Sequence, residues 1–210
     1  MRIGFFPNMG KANILEVLKQ AASICQQHNI EVFLPNDLDV PNVGESIGIS
    51  EDQVVSRPEI FRCIDMAFSF GGDGTIIQLA REAYQYQVPI CGVNLGELGF
   101  LNQIEIEQLP CHIERISRGD YHVEDRNHLL AYIRRQDGSQ ETLVPIINEL
   151  VVTKSEPAKM ARINLAIDGK HTQMYPADGL IISSATGSTG YNLSAGGPIL
   201  APDNRSLIVT

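Results

Sequence analysis

Apolar residues fall along this chain in two different rhythms. Arg2–Phe6 is a short, almost unbroken apolar run closed by Pro7-Asn8, the pattern of a buried strand with a turn behind it. Ile14, Leu15, Val17, Leu18, Ala21, Ala22 and Cys25 then recur at helical spacing, which predicts an amphipathic helix packed on that strand. Glu31–Leu34 repeats the strand pattern. Pro35–Ser56, rich in Pro, Gly, Asp and Ser, reads as a loop, and Arg57–Ile64 as a short helix. Met66–Phe70 is a third apolar strand, running directly into Gly71-Gly72-Asp73-Gly74. Thr75–Tyr86 sets Ile76, Ile77, Leu79, Ala80 and Ala83 on one helical face, and Pro89–Val93 is a fourth strand. Strands alternating with helices predict an α/β domain built on a parallel sheet.

The rhythm changes after Gly119. From Tyr121 to Thr210 there is no long helical period, only short apolar runs at His128–Ile133, Leu143–Ile147, Arg162–Ile167 and Gly179–Ser183. Asp137-Gly138 and Asp168-Gly169 lie between such runs and read as hairpin turns. The expected organisation is therefore an α/β domain over residues 1–119 and a mostly β domain over 120–210. No repeat or low-complexity tract interrupts either. Ser206–Thr210 is itself strand-like, and a strand left unfinished at a terminus suggests a truncated second domain.

Composition narrows the function classes. At 210 residues and 43% hydrophobic content, the chain can bury one large core or two small ones. A net charge of −9 argues against nucleic acid as a partner, because phosphate-backbone binders carry clustered Lys and Arg. A small nucleotide is not excluded, since backbone N–H groups and Mg²⁺ can hold its phosphates. Cys25, Cys63, Cys91 and Cys111 are scattered without a C-x-x-C pair, which reads as reduced thiols in a cytoplasmic protein. MRIGFFPN is too short and too weakly charged for a signal peptide, and no apolar stretch approaches the roughly 18 residues of a membrane span. The Asn-x-Ser sequons at Asn192 and Asn204 then read as chance matches. His28, His112, His122, His128 and His171 show no metal-ligand spacing, and neither Ser188 nor Ser194 lies in a G-x-S-x-G elbow.

The junction at Met66–Thr75 carries the clearest chemistry. Gly71, Gly72 and Gly74 are expected to admit positive φ and a close phosphate, while the first N–H groups and dipole of the following helix address the same spot. Asp73 among phosphates must be offset by a cation or used as a base, and both suit phosphoryl transfer. An ordinary tight βα turn accommodates the same composition. Two standard motifs fail: Gly4 to Gly10-Lys11 is one residue too long for a phosphate loop, with Ala12 where Ser or Thr is needed. Gly92–Gly99 places Asn94 where the dinucleotide fingerprint needs its second glycine, so it reads as a ligand-facing loop of another kind. Farther on, Ser183–Ser194 is dense in hydroxyls and glycines, with Tyr191 placed to stack on a flat ring; a solvated loop is the alternative. Asn148-Glu149, flanked by apolar runs, suggests a ligand or a buried network, with a bulge or a strand end as the alternative.

Taken in order, Phe70–Thr75 (FGGDGT), Gly92–Leu101 (GVNLGELGFL), Asn148-Glu149, Asp178-Gly179 and Thr186–Tyr191 (TGSTGY) resemble the signatures of the NAD kinase family over nearly the whole chain. The resemblance implies an α/β N-terminal domain, a β-rich C-terminal domain, and an active site in the crevice between them. It implies transfer of the γ-phosphoryl group of ATP, or of polyphosphate, to the 2′-hydroxyl of the adenosine ribose of NAD, giving NADP, with Mg²⁺ or another divalent metal accompanying the donor. Asp73 would activate or orient that hydroxyl, and Gly71, Gly72, Gly74 and Thr75 would lie near the transferred phosphate. Phe100, Asn148, Glu149, Thr186, Ser188, Thr189, Tyr191 and Ser194 would hold the adenosine half of NAD. Asp178 would reach the adenine in a neighbouring subunit's site, implying a homo-oligomer, dimer or tetramer. Gly190 departs from the family's usual alanine and Ala185 from its usual proline, which should loosen the loop without abolishing it. A GGDG-type lipid kinase of the diacylglycerol or sphingosine kind and a non-catalytic nucleotide-binding module are the alternative readings.

Overall fold

The computed structural model describes residues 1–96, 99–156 and 159–210. They form two compact units, Met1–Val123 and Glu124–Thr210.

The first unit is built on six parallel strands: β1 (Arg2–Pro7), β2 (Glu31–Pro35), β3 (Val54–Val55), β4 (Met66–Gly71), β5 (Ile90–Asn94) and β6 (Ile104–Glu105), in the spatial order β3-β2-β1-β4-β5-β6. Every residue of β4 is buried, and so is every residue of β1 after Arg2, as expected of strands covered on both faces. Period-two alternation divides their side chains between two layers. Ile3 and Phe5 with Phe68 and Phe70 point into one, where α1 (Ile14–Gln27), α2 (Val43–Ile47) and α5 (Leu109–Ser117) pack. Phe6 and Ala67 point into the other, against α3 (Arg57–Cys63) and α4 (Asp73–Ala83).

From β1 the chain works outward through β2 and β3, then returns to add β4 on the opposite side of β1 and works outward again through β5 and β6. The carboxyl ends of β1 and β4 therefore flank the point where the winding reverses. In open α/β sheets that point leaves a crevice for ligands.

Three expectations need correction. Pro35–Ser56 is not a plain loop, because it holds α2, a 3₁₀ turn at Glu51–Gln53 and β3. Val43, Ile47 and Ile49 are buried there, but so few residues cannot display a period. The helix expected from Thr75 begins two residues earlier, at Asp73, and passes into 3₁₀ at Tyr84–Tyr86. β6 and α5 were not announced by the pattern; α5 buries Leu109, Ile113 and Ile116 against the layer containing α1.

The second unit is mostly antiparallel. β7 (Tyr132–Arg134) pairs with β8 (Gln140–Thr142), and β10 (Ala161–Ile167) with β11 (Lys170–Ala177). Asp168 and Gly169 join the latter pair with φ of 50° and 73°, as the I′ turn of a two-residue hairpin demands. β12 (Gly179–Ser183) is the centre of a three-stranded sheet between β9 (Glu149–Thr153) and β13 (Ile208–Val209). A 3₁₀ turn at Thr186–Thr189 and the short α6 (Tyr191–Ser194) follow β12.

Candidate functional site

At the reversal point of the first unit a cavity of about 470 Å³ opens beside Pro7 and Asn8, which end β1, and Gly72, Gly74 and Thr75, which open α4. Asp73 lies between those two glycines, in the first turn of α4, where a negative charge is favoured by the helix dipole. Its carboxylate is held by the segment that follows β5. Oδ2 accepts the Phe100 N–H at 2.8 Å, and Oδ1 accepts the Leu101 N–H at 3.1 Å and the Asn102 side-chain amide at 2.9 Å. Each such hydrogen bond to a charged acceptor contributes about 1.5–3 kcal/mol, enough together to fix the side chain.

One of the two expectations for the glycines fails: none of Gly71, Gly72 and Gly74 takes positive φ, and Gly72 sits at −105°. A Cβ at Gly72 or Gly74 would meet nothing within 4 Å, leaving backbone open beside the cavity, whereas at Gly71 it would stand 2.2 Å from Thr75 Oγ1. Close approach is required at Gly99, where a Cβ would lie 2.1 Å from Asp73 Oδ1. Of the Gly92–Leu101 run, Glu97 and Leu98 lie outside the described residues.

Lys11 and Arg57 also line the cavity, and neither was singled out by motif. Arg57 opens α3, whose start is set by the Ser56–Glu59 capping box. Its guanidinium lies over Phe6 at 5.7 Å and donates to Asp37 and Glu82, each at 2.7 Å. Burial works against its charge, but those two carboxylates outweigh it and hold the pKa above the ordinary value. Lys11 belongs to the loop after β1 that fails the phosphate-loop pattern. The signal that would have found it is strand order: the loop after a strand beside the reversal point faces the crevice whatever its motif.

In the second unit, antiparallel pairing aligns Ser183 with Glu149, so the end of β12 lies against the start of β9. Asn148-Glu149 is thus a strand start, one of the alternatives left open above. The Ser184 N–H donates to the Asn148 carbonyl at 2.9 Å. Gly187 packs so closely on the same peptide that a Cβ would come within 2.3 Å of the Asn148 oxygen. The Asn148 Oδ1 is buried and has no hydrogen-bond partner among the described residues.

The structure therefore gathers Asn148, Glu149, Thr186, Ser188, Thr189 and Tyr191, but not all in the expected manner. Ser188 is fully buried, and its hydroxyl donates to the Ala185 carbonyl at 2.6 Å while accepting the Leu200 N–H at 3.0 Å. Its side chain braces the turn. Thr186 accepts from Arg126 at 3.4 Å, whereas the Tyr191 ring and Ser194 are exposed. Asn192, which no motif reading selected, is wholly buried and ties the turn together: its amide donates to Ser188 and Pro198 carbonyls, and its oxygen accepts from Thr210. Asp178 stands apart, at the far end of β12, paired with Lys154 at 2.6 Å. Phe100, in the first unit, offers its N–H to Asp73 while its ring is 71% exposed.

Comparison with known proteins places these features. The ATP-NAD kinase N-terminal domain matches residues 3–121, and the ATP-NAD kinase C-terminal domain matches residues 147–210. The chain is 34% identical to the NAD kinase of Natranaerobius thermophilus, covering 99% of this chain and 70% of that protein. It is 38% identical to that of Heliobacterium modesticaldum, covering 99% and 71%. Among solved structures, an NAD kinase from Archaeoglobus fulgidus in complex with ATP superposes with a TM-score of 0.70 at 25% identity, covering 100% of this chain and 71% of that one. Yeast NADH kinase complexed with NADH gives 0.85 at 20% identity, covering 100% and 65%, a likeness of fold. With both domain models aligned in order along it, the chain belongs to the ATP-NAD kinase family.

Proposed function

We propose that Asp73 is the group that acts on the acceptor hydroxyl in the phosphorylation of NAD. The ribose 2′-hydroxyl oxygen forms a bond to the γ-phosphorus of ATP, its proton passes to the Asp73 carboxylate, and the bond to the β,γ-bridging oxygen breaks with its electron pair leaving on ADP. The observation that carries this reading is the triple hold on Asp73, which fixes one carboxylate between Gly72 and Gly74, the two glycines that line the cavity.

Gly71, Gly72, Gly74 and Thr75 would receive the donor's phosphates, with Lys11 supplying positive charge from the cavity wall, where Arg57 is already engaged by Asp37 and Glu82. The described residues hold no cluster of three or more metal-ligating side chains. A divalent ion such as Mg²⁺ would enter bound to the nucleotide's phosphates, as part of the substrate. In the second unit, the unmet Asn148 Oδ1 and the gathered Glu149, Thr186, Thr189 and Tyr191 are proposed to hold the adenosine half of NAD, with Ser188 bracing them from inside. Phe100 and Ser194 would add exposed contacts, and the exposed Asp178 would serve a second copy in a homo-oligomer. No described helix is long and apolar enough to cross a membrane, and the cytoplasm is the proposed location.

The test is Asp73→Asn in the full chain, assayed with NAD, ATP and Mg²⁺ for NADP. Turnover should fall about 10²–10⁴-fold, the range for losing a positioned base, while NAD binding stays within a few-fold. Equal turnover in the variant removes Asp73 from the chemistry.

A further inference from the structure

Within the reading of Asp73 just given, we propose that Asn102 is a positioning residue that selects which carboxylate oxygen takes the proton. The family-like run ends at Leu101, one residue short of it. Asn102 is nevertheless the one side chain among the described residues, beside two backbone N–H groups, that donates to Asp73.

The selection follows from counting acceptor positions. An ionised carboxylate offers about four lone-pair sites on its two oxygens. Oδ1 receives two donors, the Leu101 N–H at 3.1 Å and the Asn102 amide at 2.9 Å. Oδ2 receives one, the Phe100 N–H at 2.8 Å. Among the described residues, the unfilled site is on Oδ2. As the hydroxyl oxygen bonds to the γ-phosphorus and the bridging oxygen departs with its electron pair, the hydroxyl proton passes to Oδ2.

The amide's own setting supports a role beyond packing. Asn102 is 9% exposed, and its Oδ1 has no hydrogen-bond partner among the described residues. A flipped amide would put that oxygen against a carboxylate, so the NH₂ faces Asp73 and the oxygen is left unmet, an arrangement that costs stability. β5 makes room for it: a Cβ at Gly92 would stand 2.9 Å from the Asn102 oxygen and 3.1 Å from its Cα. The Gln103 N–H donates to the Gly92 carbonyl at 3.1 Å and fixes the backbone beside it. The fold thus seats a buried amide over bare backbone, accepts an unsatisfied oxygen, and aims the donor at one atom of Asp73. With the amide gone, Oδ1 regains an open site and the two oxygens compete for the hydroxyl.

Two variants of the full chain test this, with NADP formation followed at saturating ATP. Asn102→Ala removes the side chain, and Asn102→Leu keeps its volume without a donor. Both should lower kcat at least tenfold while the KM for NAD changes less than threefold. A parental kcat in Asn102→Leu, or a loss confined to KM, overturns the proposal. Parent chain that forms no NADP would defeat the functional reading instead. The contact is then decided by the Asn102 side-chain ¹H–¹⁵N resonances, which should move in Asp73→Ala, and resonances that stay put overturn the proposal. The same measurement decides it if neither variant folds.

Discussion

The glycine turn after β4 and the hydroxyl-rich turn after β12 both follow buried strands, yet they use their polar atoms in opposite ways. After β4, two backbone N–H groups and one amide converge on a single carboxylate, and the flanking glycines stay open to a cavity. After β12, most of the polarity is turned inward. Ser183, Ser184, Ser188 and Asn192 are at most 1% exposed and hydrogen-bonded to carbonyls within the unit. A dense hydroxyl tract is therefore not in itself a ligand surface; buried hydroxyls must first be satisfied, here by backbone carbonyls. One turn is built to present a charge, the other to hold a backbone shape from which a few groups project.

That contrast can be broken at its two close-packed glycines. The largest effect on turnover is expected from Gly99→Ala, whose Cβ would stand 2.1 Å from Asp73 Oδ1. Either the carboxylate or its donors must shift, and a misplacement near 1 Å costs about 100-fold in kcat. Gly99 is only partly buried, so the urea midpoint should fall less than in Gly187→Ala. Gly187→Ala should do the reverse. Its Cβ would meet the Asn148 carbonyl oxygen and carbon at 2.3 and 2.4 Å, backbone that cannot rotate away. Overpacking of this kind costs about 3 kcal/mol, read as a lowered unfolding midpoint of the second unit. If Gly187→Ala left stability intact and Gly99→Ala unfolded the protein, the division between presenting and bracing turns would fail.

The smallest effect sharpens the comparison. Gly190 has φ −90° and ψ −129°, and a Cβ would stand 3.3 Å from both Glu149 Oε2 and the Gly187 carbonyl oxygen, tighter than ordinary van der Waals contact. Gly190→Ala should lower stability by about 1 kcal/mol, measured by urea titration, because a backbone oxygen must give way. An unchanged or raised midpoint would show that the turn beside Glu149 yields freely.

Much of the first unit could be read before any coordinates. The continuous apolar runs at Arg2–Phe6 and Met66–Phe70 became β1 and β4, because strands buried on both faces need apolar residues at every position. The stripe from Ile14 to Cys25 became α1 for the complementary reason, one face in and one face out. Where the reading failed, the segments were too brief to show a period: α2 has five residues and β3 two. Asp168-Gly169 was legible because a two-residue hairpin turn restricts its residues so severely. Asn102 and Asn192 were not legible, since an asparagine inside or beside a motif looks alike whether it is solvated or clamped.

Local pattern by itself determined the longer strands and helices of the first unit, that a parallel α/β unit precedes a β-rich one, and that Asp73 stands alone among glycines at a strand–helix junction. Those properties depend on neighbours a few residues apart, where side-chain period and backbone freedom act directly. Only the tertiary structure decided that β1 and β4 lie side by side, bringing Lys11 and Arg57 to the cavity, and that residues 100–102 close on Asp73 from 27 to 29 positions away. Strand order and donor direction arise from long-range packing, and no local spacing encodes them.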